Sequence, residues 1–312
     1  MRNFFTIVLL CMLSQASWAQ NTSRVSPVFE TLHQFPNVRD IAITASGYEA
    51  FITVQSPLGE IAVLVQLQKV SGKWKAMGIL PFSGSYQDME PFLSQDNLTL
   101  YFASNRPLTD SIQAVKDFDI WKVKRASIIS PWGKPINMGA PINTSYNEFY
   151  PSLSSNNNMY FTSDKPTELG KDNIWFSQKL AQGYGTPVTL SKAINSDGYE
   201  FNAFVAADES YLIFSGYNRK EGVGSGDLYL STKTENGDWS TAQNLGKEIN
   251  SKYMDYCPFV DSKTETLYFT SKRSGYEKVN DFNNLEALIQ SLNKKENGQS
   301  RLYKMSLKGL LR

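Results

Sequence analysis

The chain is poor in the two side chains that carry most metal and nucleophile chemistry. His33 is its single histidine, and Cys11 and Cys257 are its only cysteines. One imidazole removes His-ligated zinc centres, most Ser-His-Asp arrangements and most imidazole general-base schemes. An excess of one charge is also missing: 31 Lys and Arg face 30 Asp and Glu, a net +1. A balanced surface has neither the electrostatic footprint of a nucleic-acid protein nor a polybasic membrane patch. The one long apolar run, Phe4 to Leu13, is too short to span a bilayer.

That run belongs to a cleavable export leader over residues 1–19. Arg2 supplies the basic start, and Ser17 and Ala19 supply the small-residue cleavage site, with the cut after Ala19. The mature protein is then periplasmic or secreted. A lipid-anchored precursor would need a small residue before its Cys, and Leu10 stands before Cys11, which favours soluble export with a lipid-anchored form as the minor alternative. Cleavage removes Arg2 and Cys11, leaving equal numbers of basic and acidic residues and Cys257 alone. With no intrachain disulfide available, stability rests on packing, and a chain of this length buries roughly 75% of its unfolded surface.

What the chain has is a repeat: an aromatic, an acid and often Pro, leading into an apolar run. It reads YQDMEPFL from Tyr86, YNEFYPSL from Tyr146, YEFNAFV from Tyr199 and YMDYCPFV from Tyr253. A period near fifty residues marks a propeller or solenoid. Each unit divides into four short strands. The second has Pro91–Ser94, Thr99–Ser104, Asp119–Val123 and Pro135–Met138; the third has Pro151–Ser154, Met159–Ser163, Asn173–Ser177 and Pro187–Leu190. β-Branched and aromatic runs divided by Asn, Asp, Ser and Gly predict antiparallel blades.

The last unit lacks a fourth strand, and spacing finds it at the other end of the chain. Pro135 precedes Glu148 by thirteen residues, Pro187 precedes Glu200 by thirteen, and Pro27 precedes Asp40 by thirteen. Pro27 to Leu32 therefore reads as a strand that completes the last blade and closes the ring. Counting Asp40, Asp88, Glu148, Glu200 and Asp255 as one acid per blade predicts an all-β, five-bladed propeller in a single domain over residues 20–312. The alternative, six blades, needs about fifty more residues.

The segment NEFYPSLSSNNNMYFTSDKP from Asn147, followed by DNIWFS from Asp172, resembles the TolB-like, WD-repeat-like propeller repeat of exported bacterial proteins. The likeness covers nearly all of the mature chain and is strongest from Tyr86 to Ser271. It implies a propeller fold, and it is specific for fold and poor for activity.

The acids sit where inner strands begin, beside a central channel, and Arg106, Lys165, Arg219 and Arg273 follow the second strands back to the same face. This set is either a charged funnel for a polar ligand or channel cation, or a ring of blade-fixing salt bridges; fivefold repetition favours the ring. Glu90, two residues after Asp88, has no counterpart in the repeat and is the asymmetric candidate. Cys257 beside Pro258 reads as a buried, inert thiol. Recurring aromatics, Trp121, Trp175, Tyr229 and Tyr303 in third strands, read as packing between sheets. An insertion over 276–298 carries Phe282, Leu285, Leu288, Ile289 and Leu292 at helical spacing, a helix over 281–292 capped by Asn280 and Asp281.

Two functions follow. The first is a monomeric, non-enzymatic binding module without a cofactor or metal, facing a protein, peptide or glycan of the envelope. The alternative is a carbohydrate-active hydrolase using a carboxylate pair near the channel, with Asp88, Glu90 and Glu148 as its acids. A lectin with repeated sugar sites is a third reading.

Overall fold

The structure is a computed structural model describing residues 25–109, 114–276, 282–308 and 310. The predicted leader and its predicted cleavage site lie outside the described residues. No helix among the described residues is long and apolar enough to cross a membrane.

Twenty strands form five four-stranded antiparallel sheets. Blade 1 is β2 (Val38–Ile43), β3 (Glu49–Gln55), β4 (Ala62–Val70) and β5 (Lys73–Ile79). Blade 2 is β6 (Asp88–Leu93), β7 (Thr99–Ser104), β8 (Asp119–Lys124) and β9 (Ile136–Asn137). Blade 3 is β10 (Glu148–Leu153), β11 (Met159–Ser163), β12 (Asn173–Ser177) and β13 (Val188–Thr189). Blade 4 is β14 (Tyr199–Val205), β15 (Tyr211–Tyr217), β16 (Asp227–Thr232) and β17 (Gln243–Asn244). Blade 5 takes β18 (Asp255–Asp261), β19 (Thr266–Ser271) and β20 (Arg301–Ser306), with β1 (Ser26–Pro27) as its outer strand. The inner strands β2, β6, β10, β14 and β18 touch in cyclic order and close through β18 against β2. The face where they begin is here the upper face.

A ring around a channel has no single core, so each sheet buries apolar side chains against the next. Phe51, Leu64, Phe102 and Trp121 pack between blades 1 and 2, and Phe161 and Trp175 pack with Tyr101 between blades 2 and 3. Tyr160, Phe214 and Tyr229 fill the third interface, Phe204, Phe269 and Tyr303 the fourth. The recurring third-strand aromatics are thus buried packing groups, each contributing about 1.5–3 kcal/mol in apolar burial. Asn97 and Asn157 turn the first hairpins of blades 2 and 3 at φ 60° and 61°, a left-handed conformation that Asn tolerates.

The clasp pairs as the spacing predicts but is shorter. Ser26 lies opposite Lys304 and Pro27 opposite Tyr303, and Val28 N–H donates to Leu302 O at 3.0 Å. At Phe29 φ turns to 41°, which ends the extended run, and Glu30–Gln34 is a 3-10 helix rather than strand. That helix drops Leu32 into the cluster between blades 5 and 1, with Val28, Ile52, Tyr268 and Leu302. His33 on the same turn is exposed.

The insertion in blade 5 holds one helix, α1 (Leu285–Leu292), shorter than the spacing predicts. Asn284 caps it, accepting from Ala287 N at 2.8 Å; the predicted caps Asn280 and Asp281 lie outside the described residues. Phe282, Leu285, Ile289 and Leu292 are exposed.

Candidate functional site at the channel mouth

Two rings of polar side chains surround the channel, where the sequence suggests one. The outer ring is made by residues at or next to the start of the inner strands of blades 2 to 5: Asp88, Glu148, Glu200 and Asp255, each fully buried. Three meet arginines returning on the second strand of the same blade. Arg106 Nη2 lies 2.5 Å from Asp88, Arg219 Nη1 3.0 Å from Glu200, and Arg273 Nη2 3.2 Å from Asp255. Hydroxyls four residues upstream also donate to the acids: Thr144 to Glu148 at 2.6 Å, Ser196 to Glu200 at 2.6 Å and Ser251 to Asp255 at 2.7 Å. Buried and paired, Asp88, Glu200 and Asp255 fix blades rather than offering open carboxylates.

These hydroxyls belong to a motif that the sequence reading missed: Ile-Asn followed by Thr or Ser, at Ile142, Ile194 and Ile249. Its Asn staples each linker to the preceding blade. Asn143, Asn195 and Asn250 accept from the N–H of Ile120, Ile174 and Leu228 at 2.9, 2.9 and 2.8 Å and donate back to the same residues' carbonyls. Its recurrence six residues before Glu148, Glu200 and Asp255 was legible without coordinates.

Asp40 does not belong to the outer ring, and Glu90 is not without counterparts. Every inner strand carries a β-bulge. At each bulge sits a residue in the left-handed region: Asp40 (φ 52°), Glu90 (φ 61°), Tyr150 (φ 49°), Asn202 (φ 52°) and Cys257 (φ 52°). These are the equivalent positions, and Val38, two residues before Asp40, holds the outer-ring place in blade 1. Non-glycine residues at positive φ cost about 1–3 kcal/mol each, so the surroundings must hold the bulge. Spacing by residue type hid this ring, because its members share a backbone conformation and no side-chain chemistry.

The inner ring converges on Arg39. Its Nε donates to Asp40 at 2.9 Å and its Nη2 to Glu90 and, at 3.2 Å, to Cys257 Sγ, while its guanidinium lies 5.2 Å from the centre of the Tyr256 ring. Glu90 also accepts from Tyr150 N–H at 2.7 Å and Asn202 Nδ2 at 3.2 Å, and Cys257 Sγ donates to Asn202 Oδ1 at 3.3 Å. Burial pushes the Glu90 carboxyl up to about 7, Asp40 adds to that, and Arg39 with the amide donors pulls it back. Burial raises the Cys257 thiol, so it is an inert donor here rather than a nucleophile. Burial opposes the charge on Arg39, but the carboxyls of Asp40 and Glu90 hold it firmly ionised.

An oxygen of Asp40, an oxygen of Glu90 and Cys257 Sγ lie within 4.8 Å of one another, a spacing that suits a metal ion. Arg39 donates to all three, so a protein cation already stands in that place.

Above this plug the upper face holds a recess of about 420 Å³. Arg39, Glu90 and Asn202 form its floor, Phe149, Phe201 and Tyr256 wall it, and Lys272, Gln299 and Ser300 bring the roots of the blade 5 insertion to its rim. The lower mouth, of about 460 Å³, has apolar residues Ile43, Phe92, Phe204 and Phe259 alongside polar ones such as Asn97, Asp208 and Asp261.

Blade 3 departs from the outer-ring pattern. Lys165 replaces the arginine, is exposed, and sits over Trp175 with Nζ 5.4 Å from the ring centre. Among the described residues Glu148 has no ion pair, and burial pushes its carboxyl up to about 7, with Asp119 and Asp117 adding to the rise. A carboxyl raised above its ordinary 4.5 binds more protons in the folded than in the unfolded chain between those values. Stability therefore falls as pH rises through that window. The expected result is a melting temperature that drops between pH 5 and 8, with Glu148→Gln removing on the order of 1–3 kcal/mol of that slope. Calorimetric scans across pH check this; an unchanged slope in the variant would contradict it.

No protein-family model matches the chain, and no curated protein matches it. Solved structures do. A native arabinanase, Arb43A of Bacillus subtilis, is 14% identical over 86% of this chain and 93% of that one, with a TM-score of 0.52. A glycoside hydrolase is 8% identical over 80% of this chain and 86% of that one, at 0.53. TolB from Acinetobacter baumannii is 10% identical over 91% of this chain, at 0.49, and the chain spans 64% of its length. Identities this low establish the β-propeller fold and nothing finer.

Proposed function

We propose that this chain is an exported, non-enzymatic binding module of TolB-like type that presents its upper face to a protein, peptide or glycan of the cell envelope. The observation that carries the reading is the recess: a concave, aromatic-walled site whose charged floor is already satisfied by its own hydrogen bonds. With these groups paired to one another, a ligand would be held by the aromatic and polar lining of the recess rather than by a free acid or base. In this reading the channel cation is the Arg39 guanidinium.

The hydrolase reading needs two carboxyl groups about 5–5.5 Å apart for retention or 6.5–9.5 Å for inversion, with room for substrate between them. Asp40 and Glu90 bring oxygens within 4.8 Å and share Arg39, and Asp88, Glu148, Glu200 and Asp255 are fully buried. This arrangement supports binding over hydrolysis.

Phe201 is half-buried in the recess wall, so Phe201→Lys blocks the recess with little cost to the fold. On arrays of glycans and peptides the parent protein is expected to retain a defined class and the variant to lose it by at least about tenfold. Turnover of a glycan, abolished by Glu90→Gln with the fold intact, would overturn the proposal in favour of hydrolysis.

A further inference from the structure

The outer ring contains its own template for a ligand site. In blade 2, Arg106 donates to Asp88 and to Phe82 O at 3.1 Å and lies 5.2 Å from the Phe102 ring and 5.5 Å from Trp121. In blade 4, Arg219 donates to Glu200 and to Ile194 O at 2.8 Å and lies 5.9 Å from Phe214 and 4.6 Å from Tyr229. In blade 5, Arg273 donates to Asp255 and to Ile249 O and lies 5.3 Å from Phe269 and 5.1 Å from Tyr303. Each guanidinium thus meets the same four groups: an acid, the carbonyl six residues before it, and a cross-strand pair of aromatic rings.

Blade 3 keeps the corresponding residues and lacks the arginine. Glu148 is the acid, Ile142 stands six residues before it, and Phe161 lies opposite Trp175 in the same cross-strand register. A cavity of about 220 Å³ lies among these residues, also lined by Thr144 and Ser163. Lys165 also lines it, an exposed residue whose ammonium lies 5.4 Å from the centre of the Trp175 ring.

We infer that this slot between blades 2 and 3 is a receptor site for a guanidinium group supplied from outside the chain. Planar, multiply donating guanidinium fits the acid-plus-carbonyl arrangement and stacks on aromatic faces, whereas a compact ammonium cannot make both contacts at once. The site is separate from the channel recess and does not depend on the function proposed for it. Because Glu148 is held up to about 7 by burial, binding of a cation there draws it into the ionised form. Affinity therefore tightens as pH rises from 6 to 8.

The test is titration of the purified protein with methylguanidinium, methylammonium and the tripeptide Gly-Arg-Gly, read by calorimetry and by the Trp175 indole resonance. One saturable guanidinium site per chain is expected, with methylammonium at least about tenfold weaker. Lys165→Arg should fill the slot from within, abolishing binding and raising the melting temperature; Lys165→Ala should leave the slot open and retain binding. Tighter binding of the tripeptide than of methylguanidinium identifies an arginine side chain as the natural source, and the reverse order identifies a small free guanidinium compound; either upholds the inference. Absence of saturable binding by both, or equal binding to the parent and to Lys165→Arg, overturns it.

Discussion

Arg39→Met is expected to lower the unfolding free energy by about 3–5 kcal/mol, the usual cost of leaving a buried charge without its partner. The size follows from what Arg39 faces. Asp40 and Glu90 are 1% and 4% exposed, both receive hydrogen bonds from the one guanidinium, and Cys257 Sγ receives a third. Methionine fills similar volume, so the loss reads out charge and hydrogen bonding more than packing. Its signature is pH: Arg39 pulls the Glu90 carboxyl down to about 7, so its removal raises that carboxyl further, and the deficit relative to the parent should shrink as pH falls from 9 toward 7. Arg39→Lys should recover only part of the loss, since one ammonium cannot span Asp40, Glu90 and Cys257 as the planar fork does. Urea unfolding at several pH values measures all three. A deficit independent of pH would show that Arg39 acts through packing alone.

A chain beginning at Phe35 is expected to melt on the order of 10 °C lower and to self-associate. It loses Val28 and Leu32, 4% and 5% exposed, whose burial contributes about 1.5–3 kcal/mol each. In a domain of this size each kcal/mol moves the melting temperature by roughly 2–4 °C. It also loses the partner of β20, whose Lys304 and Tyr303 pair with Ser26 and Pro27. An unpaired outer strand is a template for another copy. Leu32→Ala, which keeps the strand and removes only the anchor, should destabilise by about 2–5 kcal/mol without association. Light scattering and thermal unfolding separate the two effects. A truncated chain that stays monodisperse with an unchanged melting temperature would remove the clasp from the account of stability.

The residues legible in the sequence are those whose role recurs within each unit. Glu148, Glu200 and Asp255 each bind a hydroxyl four residues upstream, and Asp88, Glu200 and Asp255 each bind an arginine about eighteen residues downstream. Such local partnerships repeat with the blade and leave a periodic trace. The same logic made the clasp legible from the place of Pro27. Lys165 was read as one more member of the basic set, because its residue type matches while its reach does not.

The inner ring left no such trace. Arg39 and Cys257 are 218 positions apart in the chain, Glu90 and Asn202 are 112 apart, and they meet only because five sheets converge on one axis. Their side chains differ from blade to blade, and only the bulged, left-handed backbone recurs. By itself the sequence determined five blades, their strand order and the closure of the ring, because β-patterning and turn chemistry act within each unit of about fifty residues. The tertiary structure alone decided which acids face the axis, that Arg39 joins them, and that one of four equivalent slots stands open. Those outcomes depend on distances between blades, which no single repeat encodes.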